Sequence, residues 1–255
     1  MNRVTLVCVS VCVSVFVLVL PAVAQEEAQM VGQLFFVQPK DGDVLQWEAA
    51  YKKHVDWHRS QEDTWGWPVW EIVSGERTGQ YVIGTFGHSW KDLDRGEFGA
   101  ADRADAIANQ GSHQGGLAVE FWRALPELSR PPEGSQALAV AYYAHLNQGM
   151  LGEYMRAIRK AHDALVKADW GGRGYRAIVV ASGEDPTVVR WSARSTWGDF
   201  QPGETSFMEM LEEAYGRQEA ASILDTLQRS THCRRSEVWA FRPDLSYQAP
   251  SDESQ

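Results

Sequence analysis

Cysteine is almost absent from this 255-residue chain: it has three, and Cys8 and Cys12 both lie in an apolar run at the N-terminus. Only Cys233 lies beyond that run, so no internal disulfide can form there and stability has to come from an ordinary core. Next to His232, this thiol reads as a half-buried structural cysteine. Clusters of lysine and arginine are also missing. With 24 basic residues against 34 acidic ones, the formal net charge of −10 leaves no electrostatic footprint for nucleic acid or an anionic membrane surface. Catalytic signatures are equally scarce. There is no Gly-x-Ser-x-Gly, no phosphate-binding loop, no dinucleotide fingerprint and no haem-attachment motif, so hydrolase, nucleotide and nicotinamide chemistry find no support. Gly111–Gly116 is glycine-rich but follows no strand.

What is present begins with residues 1–24. Met1-Asn2-Arg3 precedes an apolar run from Val4 to Leu20, and Pro21-Ala22-Val23-Ala24 closes it. A positive start, an apolar stretch and a small-x-small ending predict a signal peptide cleaved after Ala24, and hence a periplasmic or secreted protein. An uncleaved anchor is the competing reading, since the run is near the lower limit for a span; after cleavage no stable membrane span is left.

The remaining chain repeats itself. Gly42-x-Val44-x-x-Trp47-x-x-Ala50-Tyr51-x-Lys53 recurs as Gly149-x-Leu151-x-x-Tyr154-x-x-Ala157-Ile158-x-Lys160, an offset of 107 residues. Ser74-Gly75-Glu76 recurs as Ser182-Gly183-Glu184, and Trp90-Lys91-Asp92-Leu93 as Trp197-Gly198-Asp199-Phe200. Glu120-Phe121-Trp122 with Pro126-Glu127-Leu128-Ser129 matches Glu237-Val238-Trp239 with Pro243-Asp244-Leu245-Ser246. The halves are 25–130 and 131–247, followed by a polar tail, 248–255, expected to be disordered.

Each half has the same pattern. Apolar runs at 34–38 and 139–145 read as strands, and stretches 44–59 and 151–166 carry apolar residues at helical spacing. Hairpins at 67–87 and 175–195 turn at the Ser-Gly pairs. Second helices at 97–109 and 207–227 precede closing strands at 117–122 and 237–241. The order is β-α-β-β-α-β, an α+β ferredoxin-like unit whose bare sheet face needs a partner. Two such units packed sheet to sheet resemble the dimeric α/β-barrel superfamily, here as a fused tandem repeat covering most of Gln33–Tyr247. The resemblance implies a single-chain barrel. It leaves function open, because the superfamily includes small monooxygenases, decyclising and isomerising enzymes, haem peroxidases and dismutases.

Strand alternation places the chemistry. Val189, Trp191 and Ala193 form an apolar set assigned to the helices, which turns Arg190, Ser192 and Arg194 toward the space between the sheets. With neighbouring strands this gathers Tyr143, His145, Arg190, Arg194, Glu237 and Trp239, with Glu120 and Trp122 from the first half. Three readings stay open: a ligand pocket, ion pairs of the arginines with Glu120 and Glu237, or an open solvated sheet face. In the pocket reading the arginines hold a carboxylate or enolate, and His145 and Glu237 are the catalytic candidates.

His54, His58 and Glu62 stand at four-residue spacing, which can place metal ligands on one helix face. In the repeat, however, the histidines align with Ala161 and Leu165, so they read as core residues and no metal is expected. No cofactor is expected either. The resemblance raises haem, for which His162 is the best-placed axial candidate, yet it sits beside an apolar stripe. Trp90, Trp122, Trp197 and Trp239 recur and read as core anchors. Trp57, Trp65, Trp67 and Trp70 read as a packed corner or as a platform for a flat ligand. The sequence thus supports an exported barrel that binds a small organic ligand between its sheets, or a cofactor-independent monooxygenase- or isomerase-like enzyme using His145 with Arg190 and Arg194.

Overall fold

A computed structural model describes residues 30–132, 136–170, 174–183 and 185–250; residues 1–24, where a signal peptide is expected, and the end of the tail lie outside them. The elements follow the expected order: β1 (Val31–Pro39), α1 (Val44–Ser60), β2 (Val69–Ser74), β3 (Tyr81–His88), α2 (Gly96–Gln110), β4 (Gln114–Ala124), β5 (Leu138–Leu146), α3 (Leu151–Lys167), β6 (Tyr175–Val180), β7 (Thr187–Arg194), α4 (Phe207–Tyr215), α5 (Arg217–Arg229) and β8 (Thr231–Phe241). Where one helix was expected, over 207–227, there are two. Gly216 takes φ +78°, which breaks the helix, and Ser206 caps the first piece by accepting from the Glu209 amide.

In each half the first strand lies between the third and the fourth, as β4-β1-β3-β2 and β8-β5-β7-β6, and the two sheets form one closed barrel. Antiparallel pairing seals both seams, with Ile72 opposite Trp239 between β2 and β8, and Trp122 opposite Val180 between β4 and β6. Closure removes every free sheet edge. No helix among the described residues is long and apolar enough to cross a membrane.

The barrel interior is largely aromatic, with Phe36, Trp70, Trp122, Tyr143, Trp191 and Trp239 buried in one cluster. Trp122 stacks on Trp239 at 5.8 Å, while Trp70 meets Trp191 edge-on at 6.2 Å. Two of the four repeated tryptophans are therefore core anchors. Trp90 and Trp197 are not, being 43% and 62% exposed on short turns after β3 and β7. What recurs there is a turn chemistry: Asp92 accepts from the Ser89 amide and Asp199 from the Thr196 amide. Cys233, expected to be half-buried, is exposed, because the first residues of β8 run past the packed interior.

Candidate functional site

The two halves fill the space between sheet and helices differently, and the repeat shows why. On α1 that space receives Trp47, Tyr51, His54 and His58. The aligned α3 residues are Tyr154, Ile158, Ala161 and Leu165, so bulk is lost at most of these positions. In the first half the side chains close into a continuous core with Tyr81 and Trp67. In the second half a cavity of about 600 Å³ remains between β5–β8 and the helices α3, α4 and α5. Its size and mostly apolar wall are those of a small-molecule site.

The charged groups on that wall are cationic. Arg190, Arg194, Arg234 and Arg235 line the cavity, and among the described residues no aspartate or glutamate does. Arg190 stands where the first half has Ile83. Its guanidinium lies over the Tyr175 ring at 4.6 Å, its Nε is buried with no hydrogen-bond partner, and it has no carboxylate partner among the described residues. Burial lowers its pKa from the usual guanidinium value, the nearest groups being the tyrosines Tyr175, Tyr142 and Tyr154. Arg194 donates to Ser192 Oγ at 2.8 Å and to the Ala193 carbonyl at 2.7 Å. His162 Nδ1 is 2.7 Å from the Tyr175 hydroxyl, and burial lowers the imidazole's pKa, favouring the neutral ring.

This location corrects the face assignment made from alternation. Val189, Trp191 and Ala193 point into the barrel, and Arg190 and Arg194 lie on the helix side. Both faces of a closed barrel's sheet are buried, so apolarity does not distinguish them. The expected cluster is therefore split. His145 lies on the interior face, where it contacts Thr187 Oγ1 at 3.0 Å and stacks beside Tyr143 at 6.3 Å, across the sheet from Arg190. Burial lowers its pKa first, and the Arg235 charge adds to this.

Tyr143, Glu120, Trp122, Glu237 and Trp239 do come together, around a residue that sequence reasoning missed. Arg77 donates to both oxygens of Glu237, at 2.7 and 2.8 Å, to Glu120 at 3.3 Å and to the Tyr143 hydroxyl at 2.9 Å. Its guanidinium sits 3.8 Å over the Phe36 ring. The indoles of Trp122 and Trp239 donate to Glu120 and Glu237, at 2.8 and 3.1 Å. Burial, the largest single effect, works against the Arg77 charge, but the hydrogen bonds to Glu237 together with the charges of Glu237 and Glu120 outweigh it and hold the pKa above its usual value. The Tyr143 hydroxyl is pushed well up, first by burial and then by Glu120. Arg77 comes from the β2–β3 turn, where Gly75 takes φ +113° and a Cβ would meet Glu237 and Ser236 at 2.8 Å. The close approach therefore requires glycine. The anticipated ion pairs exist, but with Arg77 in place of Arg190 and Arg194. A signal was available: two repeated, buried glutamates need a cation, and the first turn carries Arg77 where the second has Asp185. Among the described residues, these side chains fill this part of the interior and are hydrogen-bonded to one another.

No protein-family model matches the sequence, and no curated protein matches it. Solved structures do. A chlorite dismutase variant from Candidatus Nitrospira defluvii superposes with a TM-score of 0.53 at 10% identity, covering 86% of this chain and 94% of that one. A candidate monooxygenase from Lactobacillus acidophilus gives a TM-score of 0.52 at 8% identity, covering 87% and 97%. An anthrone oxidase-like protein gives 0.51 at 10% identity, covering 89% and 95%. The fold is that of the dimeric α/β barrels. In this α/β barrel both halves come from one chain, and identities this low establish the architecture alone.

Haem, which the superfamily resemblance raises, would need an axial imidazole facing an open space. His162 lines the cavity, and its Nδ1 lies 2.7 Å from the Tyr175 hydroxyl, which leaves Nε2 as the ring nitrogen an iron would take.

Proposed function

We propose that the protein is an exported α/β barrel that binds a small, flat, anionic organic molecule between the sheet and helices of its second half. The observation that carries this is Arg190, whose Nε is buried without a hydrogen-bond partner and which has no carboxylate partner among the described residues, on the wall of a mostly apolar cavity that no described acid lines. A buried cation left unpaired is costly, and a carboxylate or enolate would supply the missing charge. Tyr142, Tyr154 and Tyr175 offer flat surfaces to such a ligand. The names of the structural neighbours, monooxygenases and an anthrone oxidase-like protein, are in keeping with a small organic ligand. Export rests on the N-terminal pattern of residues 1–24. A second reading, cofactor-free enzymatic chemistry on the same ligand, is favoured by one pair: the neutral His162 imidazole is oriented by Tyr175 on the cavity wall, in the manner of a general base.

Calorimetric titration with a naphthoate and with naphthol separates charge from shape. The naphthoate is expected to bind and the neutral analogue to bind at least tenfold more weakly. Arg190→Met should cost the naphthoate on the order of 10- to 100-fold in affinity while leaving Tm unchanged or raised, since the guanidinium has no ion pair to lose. Equal binding of both compounds, or an affinity indifferent to Arg190→Met, would overturn the assignment. A haemin complex that depends on His162 would overturn the haem-free reading.

A further inference from the structure

On the opposite side of the barrel, α1 and α2 bring together a cluster that the ligand site does not use. His54 Nε2 and His58 Nε2 are 3.2 Å apart, and Asp102 Oδ1 from α2 lies 3.3 Å from the first and 3.5 Å from the second. Both histidines are buried and Asp102 is partly covered. Glu62, the third member of the sequence pattern, is exposed and outside the cluster; Asp102 takes that place.

The other ring nitrogens fix the tautomers. His54 Nδ1 is 2.8 Å from Asp105 Oδ1, and His58 Nδ1 is 2.9 Å from Asp63 Oδ2. Asp63 also accepts from the Trp67 indole, the Trp65 amide and Arg95. With the Trp67, Trp65 and Arg95 donors already on it, the Asp63 carboxylate accepts from His58 Nδ1 as well. Asp105 likewise accepts from the Asn109 amide at 3.0 Å. Each imidazole therefore donates through Nδ1, and in the neutral rings both Nε2 atoms present lone pairs. Two lone pairs and a carboxylate oxygen then face one another with no donor between them. Tetrahedral bonds of about 2.0–2.1 Å would place ligand atoms roughly 3.3 Å apart, close to the spacings of this triangle.

We propose that His54, His58 and Asp102 bind one divalent transition-metal ion of the zinc type. Asp63 and Asp105 orient the two imidazoles from behind, as carboxylates do at histidine–metal sites. Charge points the same way: among the described residues, three carboxylates, Asp63, Asp102 and Asp105, share only the Arg95 guanidinium as an ion-pair partner other than the histidines. The ion has structural work to do. α2 buries only Gln110, so little apolar packing fastens it to the barrel, and a metal joining Asp102 to α1 would hold it in place. Trp57 stacks on His54 at 5.9 Å and meets Phe98 of α2 at 5.4 Å, closing the site from outside.

The experiment uses the purified chain, freed of metal by chelation and then given zinc or cobalt chloride. One equivalent of zinc should remain after gel filtration, Tm should rise on the order of 5 °C at saturation, and the cobalt form should show the intense visible bands of four-coordinate Co(II). Asp102→Asn, half-exposed and nearly isosteric, and His58→Gln should each lose the retained metal and the Tm rise; the former keeps the helical circular dichroism whether or not the latter folds. Sub-stoichiometric zinc with no Tm response in the folded wild-type chain would overturn the proposal and leave a protonated His54 shared with Asp102 and Asp105. Zinc binding unchanged in Asp102→Asn would overturn it as well, by placing the metal elsewhere.

Discussion

The two halves of this barrel share an element order and a repeat, yet one is solid and the other hollow. In the first, Trp47 is fully buried, stacks on Tyr51 at 5.3 Å and lies 4.5 Å from Tyr81. In the second, its counterpart Tyr154 lines the cavity. A duplicated unit that must fold needs one reliable packing solution; the other copy can give up volume to a ligand if the shared barrel still closes. Matched truncations test this most severely. Trp47→Ala opens a void in a closed core and is expected to cost about 3–5 kcal/mol, toward the lower end because its Nε1 has no acceptor to lose. Tyr154→Ala enlarges space that already exists and should cost about 1–2 kcal/mol. Chemical denaturation measures both, and equal losses would mean that the halves are packed alike.

The next largest effect concerns the seam that both halves share. Arg77 comes from the first half and neutralises one glutamate from each. Arg77→Met strands two carboxylates in the barrel interior and should cost about 3 kcal/mol, a Tm loss on the order of 10 °C. Adding Glu120→Gln and Glu237→Gln should recover most of it, because the penalty lies in unpaired charge. If the triple variant is no more stable than Arg77→Met, the network acts through geometry and not through charge.

Much of the fold was legible because the repeat states each element twice. A weak helix such as 97–109 becomes credible when 207–227 occupies the same place. The faces of β7 were not legible. Alternation marks in and out only where one face meets water, and here Trp191 looks into the barrel while Arg190 looks under the helices, both covered. The hollow itself was written in the sequence: Ala161 aligned with His54 shows the missing bulk, though the alignment served only to argue that the histidines were core residues. Asp102 and Asp105 could not have been paired with those histidines from spacing, because α2 reaches α1 only through the tertiary fold.

The smallest expected effect separates the halves by pH. Burial depresses the His162 pKa in the folded chain below its unfolded value of about 6.5, so the unfolded chain binds the proton more readily. Stability from this residue is therefore present above about pH 6.5 and is lost as pH falls toward the depressed folded value. The group is half-buried, so the expected contribution to the Tm difference between pH 7.5 and pH 5.5 is only about 1–2 °C, and His162→Gln should remove it. Ligand affinity should move the other way. A proton on His162 adds a cation beside Arg190, so the naphthoate should bind more tightly as pH falls through the same window, and less steeply in His162→Gln. Parallel titrations at several pH values read both slopes. If affinity and Tm fall together, His162 does not face the bound anion, and the ligand lies nearer Arg194 and Arg234 at the other side of the cavity.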